Sequence, residues 1–115
     1  MTQVAVIEAT DAFTHVAVRG KLDAAGVGVV DLKLTTETVA RHRPAVIDLS
    51  DVVFIASMGI GMLIRVAQAL RGHGLRMAIV AKPSPVKDIL DLMKMEALFP
   101  VVATREDALR ILGVE

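Results

Sequence analysis

The chain has 115 residues, 54% of them hydrophobic, with 13 Lys+Arg balanced by 13 Asp+Glu and no cysteine. That length suits one domain burying roughly two thirds of its unfolded surface, and the absence of cysteine excludes a disulfide framework, thiol chemistry and a thiolate metal site. Zero net charge gives no electrostatic footing for nucleic acid or an anionic membrane, and the 3% aromatic content, all Phe, none for base stacking.

Met1-Thr2-Gln3 carries no basic side chain and the apolar run Val4 to Ile7 stops at Glu8, so no secretory signal is expected. Val4 to Glu8 reads as a strand and Thr10-Asp11 as a turn. His15-Val16-Ala17-Val18-Arg19 alternates, with Val16 and Val18 on one face, and reads as a half-buried strand ended by Gly20. Asp23 reads as the N-cap of a helix running to about Arg41, with Val27, Val30 and Leu34 as its apolar stripe and Arg43-Pro44 as its stop.

The central stretch runs from Val46 to Gly61. Val46 and Ile47 begin a strand whose apolar run ends at Asp48; Val52 to Ile55 are apolar and expected to be buried; a loop and a helix start follow. Ile60, Leu63, Ile64, Ala67 and Leu70 fall on one helical face, which places Ser57 at or just before a helix N-terminus, flanked by small residues. Gly72-His73-Gly74 ends that helix. The longest uncharged run, Val52 to Ile64, contains Ser57, Gly59 and Gly61 and is too short to span a bilayer, so a cytoplasmic domain without membrane insertion is expected.

Leu75 to Val80 is a further apolar strand. Ser84-Pro85 reads as an N-cap with Pro in the first helical position, and Val86, Ile89, Leu90 and Met93 as the buried side of a short helix. Phe99 to Val102 is a last short strand near an edge, since Pro100 donates no hydrogen bond. Thr104 caps a final helix with Glu106 and Asp107 in its first turn; Ala108, Leu109, Ile111 and Leu112 pack it down and Gly113 ends it. Strands alternating with helices predict an α/β domain: an antiparallel hairpin first, then parallel strands joined by right-handed helical crossovers.

Two segments resemble the STAS family, whose best-known members are the bacterial anti-anti-sigma factors, or anti-sigma factor antagonists. Asp48-Leu49-Ser50 matches the family's Asp-Leu-Ser, and Ala56-Ser57-Met58-Gly59 stands where the family has Asp-Ser-Ser-Gly. Upstream, Val18-Arg19-Gly20-Lys21-Leu22-Asp23 is similar to the family's strand followed by Gly-x-Leu-Asp. The resemblance covers nearly the whole chain and departs from the pattern at Ala56, which replaces an acidic residue, and Met58, which replaces a small hydroxyl residue. It implies a single STAS domain over residues 1–115, with a mixed sheet of about five strands and about four helices.

Ser57 lacks the setting of a catalytic serine. A nucleophile elbow requires Gly-x-Ser-x-Gly, and Ile55 stands at the first glycine. The one His after it is His73, with no Asp or Glu between them. Gly59 and Gly61 would need a third glycine where Ile64 stands to make a dinucleotide fingerprint, and no Walker lysine follows. His15, His42 and His73 lack the spacing of a metal pair. No catalytic residue, cofactor or metal is therefore assigned.

Two roles remain for Ser57. From position alone, a serine at a helix start is most often an N-cap, whose removal costs about 0.5–2 kcal/mol. The resemblance instead implies phosphorylation. The modification adds about −1.5 to −2 charges, which a helix N-terminus tolerates and a closely packed partner does not. Read this way, the chain is a non-enzymatic switch. Unphosphorylated, it binds a kinase-type anti-sigma factor through Asp23, Ala56, Ser57, Met58, Gly59, Ile60 and Gly61 and frees the sigma factor; phosphorylation of Ser57 by that serine kinase ends binding, and a phosphatase would reverse it. Asp23 is equally well read as an ordinary cap. The alternatives are a STAS subunit of a transport or signalling assembly without phosphorylation, and a small-molecule or nucleotide-binding module.

Overall fold

The computed structural model describes residues 1–114. Its strands are β1 (Gln3–Ala9), β2 (Thr14–Leu22), β3 (Ala45–Ile55), β4 (Met77–Val80) and β5 (Val101–Val102). Its helices are α1 (Ala24–Thr38), α2 (Ser57–Gly72), α3 (Pro85–Leu92) and α4 (Arg105–Leu112), with a short 3-10 turn at Met95–Ala97. The five strands lie in sequence order; β1 and β2 are antiparallel and every later neighbour is parallel, as the alternation of elements predicts.

Successive strand residues point to opposite faces, and the sheet uses both. Ala45, Ile47, Met77 and Ile79 face the larger core, where α1 contributes Val27, Val30 and Leu34, α2 contributes Leu63, Val66 and Leu70, and α3 contributes Val86 and Leu90. Val46, Ala78 and Val80 face the other way, into a smaller cluster closed by Ala108 with Leu109 and Leu112 of α4. The sheet is therefore covered thickly on one side and by a single two-turn helix on the other.

Several sequence boundaries move, each for a local reason. Gly20 does not end β2: it adopts φ +99°, which glycine accepts without strain, and the strand continues to Leu22 across a register shift. Asp48 ends the apolar run but not the strand: β3 is one strand of 11 residues, and an irregularity lies where Asp48 Oδ1 accepts from the Ser50 N–H at 2.8 Å. A second irregularity opposite Gly20 and Lys21 adds a residue to β3 and breaks its alternation, so Val52 and Ile55 are buried while Val53 and Phe54 are 67% and 47% exposed. Helix α1 ends at Thr38 rather than near Arg41; the Thr38 hydroxyl donates back to the Leu34 carbonyl, and His42 turns left-handed at φ 59°. Met93 and Ile111, expected to pack inward, are exposed because they lie where their short helices end.

Candidate functional site

Strands β2 and β3 run side by side and end level, with Leu22 paired to Ile55. The chain leaves both ends into helices, so the starts of α1 and α2 lie next to each other. Two contacts fix them. The Ala56 N–H donates to the Leu22 carbonyl at 3.0 Å. Gly59 brings the first turn of α2 against the end of β2: a Cβ there would lie 2.8 Å from the Leu22 carbonyl oxygen and from Ile55 Cγ1. The residues predicted as Asp23 and Ala56 to Gly61 are thus brought together.

Asp23 is the N-cap of α1; its Oδ1 accepts from the Gly26 N–H at 2.8 Å and its side chain is half-buried. Ser57 differs from the expected cap. Ala56 occupies the N-cap position in extended backbone, held in the sheet by its bond to Leu22, and Ser57 is the first helical residue. Asp23, Ser84 and Thr104 cap their helices through side-chain oxygens, whereas α2 has no side-chain cap. Ser57 is exposed, and its hydroxyl enters none of the side-chain hydrogen bonds among the described residues.

Around Ser57 the surface is apolar. Met58 is 53% exposed, while Ala56 and Gly61 are partly exposed. Ile60 and Gly59, predicted as contact residues, are buried and shape the surface from beneath. A pocket of about 330 Å³ opens beside Ser57, lined by Ile55, Ala56, Ile60, Ile89 and Met93. Its α3 wall was not foreseen: helical spacing put Met93 in the core, but the helix stops one residue short of it.

The histidines lie elsewhere. His15 is early in β2 beside Val46, and His42 and His73 occupy the turns before β3 and β4. His73 follows the far end of α2, roughly 24 Å along the axis from Ser57. The rings of His42 and His73 meet edge to face at 4.9 Å, a pairing their sequence separation concealed. Among the described residues no three His, Asp or Glu side chains gather as a metal site, and no helix is long and apolar enough to cross a membrane.

Residues 4–108 match the family model of the STAS domain. Osmosensory protein A of Mycobacterium tuberculosis is 29% identical over a 103-residue alignment that covers 87% of this chain and 65% of that protein; the chain thus spans just under two thirds of that relative's length. An anti-sigma factor antagonist from Mycobacterium paratuberculosis superposes with a TM-score of 0.83 at 25% identity, covering 96% of this chain and 94% of its own. The Bacillus protein SpoIIAA shares the fold in both unphosphorylated form (TM-score 0.71, 17% identity, 100% of this chain and 99% of its own) and phosphorylated form (0.66, 18%, 96% and 98%). With the sheet order, the paired helix starts and a family match across almost the entire sequence in agreement, the chain belongs to the STAS domain family.

Proposed function

We propose that this chain is a single STAS domain acting as an anti-sigma factor antagonist: a non-enzymatic, cytoplasmic module that binds a kinase-type anti-sigma factor and is switched off by phosphorylation of Ser57. The observation that carries the reading is the state of the Ser57 hydroxyl, which is exposed, free of structural duty and set at the start of a 16-residue helix. Ser84 is a poorer phosphoacceptor because its hydroxyl caps α3, accepting from the Lys87 N–H at 3.1 Å. Ser50 lies within β3 and is half-buried. The likeness to an anti-sigma factor antagonist along 96% of the chain supports the role, and SpoIIAA supplies a phosphorylated protein of the same fold.

The contact surface comprises Asp23, Ala56, Ser57, Met58 and Gly61, with Gly59 and Ile60 setting its shape. Methionine adapts its shape to a partner at low cost, so Met58 suits a protein contact. A phosphate at the helix start gains roughly 0.3–1 kcal/mol from the dipole when exposed, whereas an unpaired charge buried under a partner costs several kcal/mol. The modification therefore ends binding without unfolding the domain, and a phosphatase would restore it.

The test is calorimetric titration of a kinase-fold anti-sigma factor into wild type, Ser57→Ala and Ser57→Glu. Ser57→Ala should bind like wild type and melt with it, within about 0.5 kcal/mol, since no hydrogen bond is lost. Ser57→Glu should stay folded and bind more weakly by orders of magnitude. Equal affinities for the two variants would remove Ser57 from the interface and the switch with it.

A further inference from the structure

His15 lies on the thinly covered face of the sheet and is only 5% exposed. Its Nδ1 is 3.1 Å from Arg105 Nη1 in the first turn of α4. A guanidinium only donates, so Nδ1 accepts and the ring proton sits on Nε2; that nitrogen is buried with no hydrogen-bond partner among the described residues. Arg105 also forms an ion pair with Glu8, and its guanidinium lies 5.5 Å from the centre of the Phe13 ring. Glu8 pairs with His15 across β1 and β2. One arginine thus ties the start of α4 to two strands. The far end of the helix has its own tie, Arg76 Nη1 donating to the Ile111 carbonyl at 3.1 Å.

We propose that His15 is a proton-operated latch for α4: the neutral ring holds Arg105 against the sheet, and protonation hands Glu8 from Arg105 to the imidazolium and lets the first turn of α4 open. Protonated Nδ1 has no lone pair for Arg105 and presents a positive charge to it at hydrogen-bond distance. The opposing charges are already in place, Glu8 from β1 and Asp48 from β3, and Glu8 is the one whose present partner would be displaced. Opening the turn lets water reach Nε2–H, which is orphaned in the closed state. Burial, and then the charge of Arg105, hold the His15 pKa below the ordinary 6.5, against the pull of Asp48 and Glu8. The closed state therefore binds fewer protons than the open one as the pH falls. Its advantage is complete above 6.5 and is lost below it, down to the closed-state pKa.

Hydrogen exchange on the full chain tests the latch. In wild type, the protection factors of the α4 amides should drop between about pH 7.5 and pH 5.5, by up to about tenfold per pH unit below the ordinary histidine value. Those of β3 should hold. His15→Gln keeps an acceptor for Arg105 but cannot titrate, and its α4 protection should be the same at both pH values. A pH-independent α4 in wild type, or the same drop in His15→Gln, would overturn the proposal. Should His15→Gln fail to fold, titration of the wild-type His15 ring protons decides it: a midpoint below 6.5, with α4 opening over the same range, upholds the latch, and one at or above that value overturns it.

Discussion

Gly59 and Gly61 look alike in the sequence, two glycines in the first turns of α2, and the structure separates them. A Cβ at Gly59 would collide with the Leu22 carbonyl, the Leu22 Cβ and the Ile55 side chain, all within 2.9 Å. At Gly61 the nearest atom is Arg65 Nη1 at 3.6 Å, an ordinary contact with the end of a flexible side chain. Glycine inside a helix costs about 1 kcal/mol relative to alanine, so Gly61→Ala should stabilise the domain by roughly 0.5–1 kcal/mol. Gly59→Ala must push α2 off β2 and should destabilise it by about 1–3 kcal/mol despite the better helix propensity. Urea midpoints of the two variants check the pair, and opposite signs are the expected outcome. The spacing of apolar residues located the glycines at a helix start, but which one touches β2 depends on the Leu22–Ile55 register, a long-range fact. The same holds for Ser57. Residue preference alone makes the serine the cap; the bond from Ala56 to Leu22 instead holds Ala56 in extended backbone at the cap position, and the helix begins one residue earlier, with Ser57 as its first residue.

At the scale of elements, what was legible was local. The sequence marks Asp23, Ser84 and Thr104 as N-caps, and each accepts from the backbone N–H three residues on. A cap needs one side chain and its own first turn, so the sequence contains the whole interaction. Strand ends were less legible, because β2 and β3 continue through irregularities that only their pairing defines. The exposed pair Val53 and Phe54 follows from that same pairing. The cap at Asp23 also allows its two proposed roles to be separated. Asp23→Ala should cost about 1 kcal/mol through loss of the bond to Gly26, whereas Asp23→Asn keeps an acceptor there and should stay within a few tenths of wild type. Thermal melts measure the cap. Weaker binding of an anti-sigma factor by Asp23→Asn at unchanged stability would mark the carboxylate charge as part of the contact.

The molecule as a whole divides its stability unevenly between the two faces of the sheet. Among the described residues, three helices and the 3-10 turn close the larger core, and α4 alone closes the smaller one. The site stands at the edge of the larger core, with α2 reaching from Ser57 down into it through Leu63, Val66 and Leu70. Truncation should therefore be read differently on the two sides. Leu63 is fully buried, and Leu63→Ala leaves a cavity bounded by well-packed neighbours, which typically costs about 2–5 kcal/mol. Against a total of about 5–15 kcal/mol for a domain of this kind, that is a large share. Leu109 is only partly buried against the smaller cluster, so Leu109→Ala should cost roughly 1–2 kcal/mol, the transfer energy of the area it covers. Urea unfolding with an unchanged slope would show both variants losing stability rather than compactness. An equal or larger loss from Leu109→Ala would mean that α4 carries as much of the fold as α2. In that case its opening could not be a local event, and the His15 latch would act on the whole domain instead of one helix.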